Sequence, residues 1–345
     1  MTGAAGGQRR GVALTPMETR RDVIVRTARL ADRLGYEVFA LPEGWGLDST
    51  TALTEIALVT RRIRLVSGVL SVWGRTPATL AMTAATLHQI SQGRYVLGLG
   101  ASTRALVEGF HDVPFRRPAD KLRDVTGKVR TLLAGERAPL DRTSDERPLR
   151  LGQPAAPDVP IWVAAMGPRA VEVAAELGDG WFPIMVARDH LTTWTPQLRK
   201  HRETGAEPTL AGRPLTVAAG PLTVVDHDDV AARDVAASCI AWYLCAMGDA
   251  YARFVTERGY GAEVRAIHAA NPRPSPQRGV VPPAAQAVLD QLTAYGTPDH
   301  VRDRLAPWHE AADIVTIGVP PGLPWPHIEA TLRAAAPEPP VAAAP

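Results

Sequence analysis

The sequence predicts a (β/α)8 barrel, also called a TIM-like barrel, with an insertion before its last strand. Eight short apolar segments alternate with amphipathic helical segments along the 345 residues, an alternation typical of parallel α/β folds. The strand segments are apolar on both faces, as expected of strands that helices cover. The alternative is an open doubly wound sheet, which calls for a glycine cluster after the first strand. Residues 15–21 follow that strand here and contain no glycine.

Residues 62–102 form the clearest strand–helix–strand unit. An apolar, β-branched segment leads to a helical segment that Thr76 caps and in which Pro77 takes the first position. A turn then leads into the short apolar segment 95–100. The carboxyl ends of parallel strands meet at one edge, so we expect one cluster of residues at the mouth of the barrel. Its members are Leu70, Ser71, Trp73, Gly100, Ala101 and Ser102.

The remaining elements follow from the period of the apolar residues and from turn residues between them. The predicted strands are 11–14, 36–46 running into a loop, 62–70, 95–100, 159–167, 181–186, 214–225 and 313–320. The predicted helices are 18–35, 48–62, 76–90, 119–135, 168–180, about 189–203, 228–268 and 326–335. The helical segment 228–268, a proline-rich loop and two further helical pieces together form the predicted insertion. We expect one barrel domain over residues 1–335 and a disordered Ala/Pro-rich tail over 336–345.

Composition narrows the functional class. Hydrophobic residues make up 46% of the chain, enough for a large core, and the net charge of +2 gives no electrostatic reason to expect nucleic acid or a membrane as partner. Cys239 and Cys245 lie on one predicted helix with a spacing unsuited to a disulfide, which fits a reducing cytoplasm. No signal peptide or transmembrane segment is predicted. The nine histidines are scattered, so we expect no metal site.

Two glycine-containing strand ends are candidates for binding a cofactor. At 164–170, small residues lead into Pro168, and a helix that begins there would aim its N–H groups and dipole at an anion such as phosphate. The same residues also fit an ordinary strand–helix turn. At 98–103, Gly100 and Ala101 resemble half of a dinucleotide fingerprint and would let a ring system approach the backbone. Close packing of strand on helix explains that motif as well.

Polar and aromatic residues near the predicted mouth supply candidates for catalysis. Glu43 follows the second strand, where a carboxylate can bond a ring N–H or act as a general acid, although a solvated loop position is equally consistent. Ser71 and Ser102 are secondary polar candidates. The loop after the fourth strand carries local positive charge, which fits either an anion site or a solvated surface. The other candidates are Trp45 and Trp73 as an apolar wall, Pro183, Ile184 and Met185 as mouth lining, and Arg104, His111, Arg116 and Arg117 in the basic loop.

Three segments, 67–102, 107–124 and 161–183, resemble the bacterial-luciferase-like superfamily of flavin and deazaflavin oxidoreductases in order and spacing. The resemblance extends over about Gly11 to Ala335 and is stronger to the deazaflavin-using actinobacterial-type members. It implies a TIM-like barrel, a homodimer, and a backbone bulge in the third strand that presses on the cofactor ring. The residues implied in cofactor binding are Ser67, Gly68, Val69 and Leu70 at the bulge, Gly100 and Ala101 with Ser102 after the fourth strand, and Ala165, Met166 and Gly167 at the phosphate.

The resemblance therefore implies an oxidoreductase that transfers a hydride between a deazaflavin, coenzyme F420, and an organic small molecule. Reduction of a C=C or C=N bond is the expected direction, with Glu43 delivering a proton or contacting the ring. The basic loop with Arg116 and Arg117 is placed to meet the acidic tail of a deazaflavin. An FMN-dependent two-component monooxygenase is the alternative, and a cofactor-binding protein without catalysis is a third hypothesis.

Overall fold

A computed structural model describes residues 8–140 and 145–338 of the chain. It shows a closed parallel barrel, because the first strand pairs with the last, Arg10 with Val315 through Leu14 with Val319. The barrel strands are β1 (Arg10–Leu14), β2 (Val38–Leu41), β3 (Arg64–Ser67), β5 (Tyr95–Gly100), β6 (Ile161–Ala164), β7 (Gly180–Trp181), β8 (Thr216–Ala219) and β11 (Ile314–Val319). The predicted barrel fold is confirmed.

Two predicted strands are broken in the structure. The third is interrupted after Ser67 and resumes as β4 (Leu70–Ser71), which pairs with β5. The seventh is interrupted at Gly220 and Pro221 and resumes as β9 (Leu222–Val225), which pairs with β11 at one position, Leu222 with Gly318. Strand β9 continues outside the barrel, where it pairs with β10 (Thr293–Gly296), a strand that the sequence did not predict.

Helices cover the outside of the barrel, and several begin and end as predicted. Asp48 caps one helix by accepting from the Thr51 N–H, Thr76 caps the next, and Gly35 ends the first with φ of 84°. The helices are α1 (Arg21–Leu34), α2 (Ser49–Val59), α3 (Pro77–Ile90), α4 (Arg104–Gly109), α5 (Pro118–Leu133), α6 (Pro168–Leu177), α7 (Arg188–Gly205), α8 (Asp229–Ala246), α9 (Asp249–Val255), α10 (Gly261–Ala270), α11 (Gln286–Leu292), α12 (Pro298–Leu305) and α13 (Trp325–Ala334). The short helix α4 was not predicted.

The insertion lies between β9 and β11, as predicted, but its long helical segment is divided. Helix α8 ends before Gly248, whose φ of 82° suits glycine, and α9 is separated from α10 by a wide turn at Thr256–Tyr260. Within the described ranges no single helix is long and apolar enough to cross a membrane, although α8 with the segment Asp249–Ala270 passes that test as a pair bent by 108°. Most of the predicted disordered tail, residues 339–345, lies outside the described residues.

The core has two layers. The larger layer fills the space between the sheet and the helices. The smaller layer fills the barrel interior and is made of Val38, Ala40, Val66, Val96, Trp162, Phe182, Ala218 and Ile314. Val69, in the break of the third strand, packs against this inner layer. The break therefore lies at the carboxyl end of the barrel, above the packed interior, where sites of this fold are built.

Candidate active site

The break in the third strand is a bulge at Gly68 and Val69. The chain leaves the strand after Ser67, passes through a cis peptide bond between Gly68 and Val69, and pairs again at Leu70. Ser67 and Leu70 are fully buried, whereas Gly68 and Val69 are half-buried. Of the four residues implied in ring binding, Gly68 and Val69 thus present surface at the mouth, and Ser67 and Leu70 support them from behind.

Glycines of β5 make room for the bulge. A Cβ at Gly98 would lie 1.8 Å from the carbonyl oxygen of Ser67, and one at Gly100 would lie 2.7 Å from Cγ2 of Val69. Neither position has space for any side chain. The pattern that resembled half of a dinucleotide fingerprint therefore has a packing role in this structure: it lets the bulge lie directly on the neighbouring strand.

Hydrogen bonds hold the bulge in place. Oγ of Ser67 accepts from the Gly98 N–H at 2.9 Å and from the Tyr95 hydroxyl at 2.9 Å. Burial raises the pKa of Tyr95, so that hydroxyl stays protonated and remains a donor. The Glu43 N–H reaches the Val69 carbonyl oxygen at 3.4 Å from the loop after β2. The position of the bulge is thus set by β5 on one side and by β2 with its following loop on the other.

The residues predicted to meet at the mouth after the third and fourth strands do come together. Ser71 pairs with Gly100, and the Trp73 indole N–H donates to the Ala101 carbonyl at 2.9 Å. Oγ of Ser71 accepts from the Trp73 N–H at 3.2 Å. Ser102 follows directly with φ of 60°, a left-handed conformation that is uncommon outside glycine and tends to occur at functional sites.

Glu43 lies at the mouth in a buried ion pair. Both of its carboxylate oxygens bond the guanidinium of Arg75, the second at 2.9 Å, and the two side chains are only 14% and 15% exposed. The same guanidinium donates to Asp48 at 2.9 Å, and the hydrogen bond that it donates to Glu43 raises the pKa of Arg75. A guanidinium favours the ionised carboxylate, so this geometry suits a fixed hydrogen-bond acceptor better than a proton donor.

The predicted phosphate turn leads into α6. Ala165 is buried and its carbonyl accepts from the Trp181 indole at 2.9 Å, while Gly167 is exposed at the N-cap. No side chain caps this helix, and a Cβ at Gly167 would meet nothing within 4 Å. A helix beginning at Pro168 was expected to aim its first N–H groups at an anion, but one of these, the Ala170 N–H, donates to the Gly167 carbonyl at 3.0 Å instead. The amino end of α6 is open on the side where an anion would lie.

The basic loop is partly neutralised. Arg104 pairs with Glu108, and Arg117 shares Asp120 with Arg169 on α6. Arg116 is exposed, and within the described ranges it forms no ion pair. Arg116 is therefore the cation of this loop that is most available to an added anion.

Sequence reasoning missed three residues at this part of the mouth, Arg75, Phe115 and Lys121. The Phe115 ring lies 5.7 Å from the Trp73 ring, and Nζ of Lys121 lies 5.9 Å from it. Trp45, by contrast, is exposed, and in the described part of the chain the ring that lies against Trp73 is that of Phe115 and not that of Trp45. The only signal for the missed residues was their position just after predicted strands or at a helix start. No cluster of metal-ligating side chains occurs in the ranges that the structure describes.

Comparison with known proteins agrees with this architecture. The family model of the luciferase-like monooxygenases matches residues 5–313. The chain is 29% identical to a putative coenzyme F420-dependent oxidoreductase of Mycobacterium tuberculosis, over 85% of this chain and 88% of that protein. It is 30% identical to a phthiodiolone/phenolphthiodiolone dimycocerosates ketoreductase of Mycobacterium bovis, over 72% of this chain and 67% of that protein.

A solved structure resembles the whole fold. It is the coenzyme F420-dependent tetrahydromethanopterin reductase of Methanopyrus kandleri, with a TM-score of 0.76 and 20% identity over 96% of this chain and 98% of that one. The barrel, the bulge and the family match define the class as that of luciferase-like oxidoreductases. The chain belongs to the luciferase-like monooxygenase family.

Proposed function

We propose that the protein is an oxidoreductase that transfers a hydride between the deazaflavin coenzyme F420 and an organic small molecule. The observation that carries the proposal is the Gly68–Val69 bulge, held by hydrogen bonds from β5 and from β2 with its loop and seated on two glycines of β5. Such a rigid apolar backbone surface suits one face of a flat ring. The F420-dependent relatives support the choice of cofactor.

The residues present fit this cofactor. The open amino end of α6, with Met166 and Gly167 at its start, offers N–H groups and a helix dipole to a phosphate. Arg116 adds an exposed positive charge for an acidic tail. When bound, the deazaflavin supplies the hydride chemistry, and the protein supplies position and electrostatics.

The remaining site residues then take defined parts. Gly68 and Val69 support the ring, and Gly100, Ala101 and Ser102 border it from the neighbouring strand. The hydroxyls of Ser71 and Ser102 are polar contacts for the ring or the substrate. Glu43, fixed by Arg75, holds a carboxylate at the mouth that accepts a hydrogen bond without moving. Reduction of a C=C or C=N bond, expected from the resemblance, stays a prediction.

An FMN-dependent monooxygenase is the second candidate, because the matching family is named for that chemistry and because FMN carries a phosphate that the same helix end would bind. A titration of the purified protein with F420 and with FMN, followed by anaerobic turnover with reduced F420, separates the two. We expect tighter binding of F420 and turnover without oxygen. Tighter binding of FMN, with product only in the presence of oxygen, would establish the monooxygenase instead.

Charge reversal in the basic loop tests how the acidic tail is bound. We expect Arg116→Glu to weaken F420 binding more than FMN binding, and Arg117→Glu to have a smaller effect because Arg117 is already paired with Asp120. F420 affinity should also fall with added salt, since exposed charges are screened over about 10 Å at 0.1 M. If Arg116→Glu lost affinity for F420 and for FMN equally, this loop would not be the site that binds the acidic tail.

A further inference from the structure

A second cluster of apolar residues lies above the barrel mouth, and we call it the insertion cluster. Its buried members are Cys239, Tyr243 and Met247, with the partly buried Met17, Met185, Leu222, Trp242 and Tyr251 packed on them. Met17, Met185 and Leu222 each lie within four residues of the carboxyl end of a barrel strand, β1, β7 and β8. The cluster is therefore at the edge of the barrel where ligands bind in this fold.

The insertion cluster contains two buried donors without acceptors. The Tyr243 hydroxyl and the Trp242 indole N–H have no hydrogen-bond partner within the described part of the chain, and Tyr243 is 2% exposed. The other fully buried tyrosine hydroxyls are paired, that of Tyr36 with the Leu332 carbonyl and that of Tyr95 with Ser67. Nearly all buried polar groups of folded proteins find a partner. Other unpaired polar atoms occur elsewhere in the described residues, but these two donors lie together in the cluster at the mouth, where they can serve a ligand that brings its own acceptor.

The chemistry of the cluster restricts that ligand. Its walls are thioether, thiol, aliphatic and aromatic groups. The titratable groups that act on the Tyr243 hydroxyl are Cys239 and Tyr251, and burial keeps both of them neutral. Burial raises the pKa of Tyr243 well above its ordinary value, so the hydroxyl remains a neutral donor at physiological pH. An ionised ligand would lose its hydration here without gaining a counter-charge. An uncharged oxygen acceptor on an apolar body fits both the walls and the donors.

The loop after β7 contributes a side chain to the insertion cluster. Met185 has φ of 57°, which is unfavourable for a long side chain and persists only where surrounding contacts enforce it. Its side chain joins the insertion cluster, next to the exposed Ile184 and the buried Phe182 of the same loop. This conformation turns an apolar side chain toward the mouth.

We propose that the insertion cluster binds the organic substrate and that this substrate is an apolar carbonyl compound whose oxygen accepts a hydrogen bond from Tyr243, assisted by Trp242. That the ligand is a substrate rests on the proposed function; that the cluster binds a carbonyl compound does not. In this proposal the bond that is reduced is the C=O bond of a ketone or aldehyde, instead of the C=C or C=N bond that the resemblance implies. In the reverse direction the substrate is the corresponding alcohol.

The test measures binding to the full chain without cofactor, using two matched pairs of probes. Acetophenone is compared with ethylbenzene, and 4-phenyl-2-butanone with butylbenzene, by ligand-observed NMR titration. The variants are Tyr243→Phe and Trp242→Phe. Tyr260→Phe is the control, because its hydroxyl already donates to Asp189 at 2.6 Å and its ring is outside the cluster although in the same insertion.

We expect the unsubstituted protein and Tyr260→Phe to bind each ketone about three- to tenfold tighter than its hydrocarbon, the range of one net hydrogen bond. Tyr243→Phe should remove most of that preference and leave hydrocarbon binding and F420 affinity unchanged, and Trp242→Phe should reduce it less. A preference that persists in Tyr243→Phe, or is absent from the unsubstituted protein, would overturn the proposal. Neither result bears on F420 affinity, so the failure of this inference and that of the proposed function are distinguishable.

Discussion

The two halves of the barrel mouth are built on different principles. In the half formed by β2 to β6, which we call the cofactor half, the surface is largely backbone, and the polar groups around the bulge are paired. In the half formed by β7, β8, β11, β1 and the insertion, which we call the insertion half, the insertion cluster presents apolar side chains, and its Trp242 and Tyr243 donors are unpaired within the described residues. A fixed backbone surface suits one invariant ring, whereas side chains on an added segment can set the choice of substrate independently.

The largest expected effect is on the rigidity of the cofactor half. Gly98→Ala places a methyl group 1.8 Å from the Ser67 carbonyl, so the bulge must move, and we expect a loss of about 3 kcal/mol in the free energy of unfolding. Urea denaturation measures it. Gly127→Ala is the control, since a Cβ on that helical glycine meets nothing within 4 Å and should add up to about 1 kcal/mol. A Gly98→Ala protein as stable as the parent would mean that the bulge can move to accommodate a methyl group without a loss of stability.

The second effect is on cofactor affinity, which we expect to change in the cofactor half while ligand binding in the insertion half does not. Gly167→Val fills the open amino end of α6 without a clash, so we expect an intact fold and a loss of cofactor affinity of about tenfold, or about 1.4 kcal/mol. Ketone binding in the insertion half should not change. Gly152→Val, equally free of neighbours, is the matched control for both titrations. Unchanged cofactor affinity in Gly167→Val would place the phosphate elsewhere.

The third effect is a change in the free energy of unfolding that has opposite signs when either of two buried tyrosines is replaced with phenylalanine. Tyr36→Phe removes a satisfied hydroxyl and leaves the Leu332 carbonyl without its donor, and we expect a loss of about 1 kcal/mol. Tyr243→Phe removes an unpaired hydroxyl, and without ligand we expect a gain of up to about 1 kcal/mol. Unfolding of both variants in urea gives the comparison. A loss of similar size in both would show that Tyr243 has a partner in the free protein.

The smallest effect concerns the contact between α7 and the insertion. The His190 ring lies 4.1 Å from that of Trp194 and 5.8 Å from that of Phe254, and burial lowers the pKa of His190 to about 4. An unfolded histidine titrates near 6.5, so between about pH 6.5 and 4 the unfolded chain binds a proton that the folded chain lacks. Stability therefore falls as the pH falls through this window, by less than about 1 kcal/mol because the imidazole is partly solvated.

Substitution of His190 by Phe should flatten this pH dependence in denaturation experiments. His309→Phe is the control, because burial lowers the pKa of His309 to about 4 as well, but this residue precedes β11 at the opposite end of the barrel. Both variants should flatten the global profile. Only His190→Phe should also remove the pH dependence of amide exchange in α9. An identical exchange pattern in both variants would mean that protonation of His190 does not affect the stability of the insertion.

The sequence predicted the cofactor half better than the insertion half. The cap Thr76 and the first helical residue Pro77 were predictable because they depend on residues close in the chain. That Ser71 and Gly100 lie near one another was predictable because the carboxyl ends of parallel strands meet at one edge. The Glu43–Arg75 pair was not predicted, because the two residues are 32 positions apart and only the closed barrel brings them together. Strand β10 was missed because its four residues, Thr293–Gly296, follow helix α11 directly, without a turn residue that would mark the start of a strand.

The sequence by itself determined the alternation of strands and helices, the position of the insertion and the small residues at the strand ends, because each depends on local period and residue size. Only the tertiary structure decided that Gly98 makes room for the Ser67 carbonyl and that Arg117 is paired with Asp120. It also decided that, within the described residues, Arg116 forms no ion pair and Tyr243 lacks an acceptor. These properties depend on which residues, distant in the sequence, lie in contact with one another, and these contacts form only when the barrel closes.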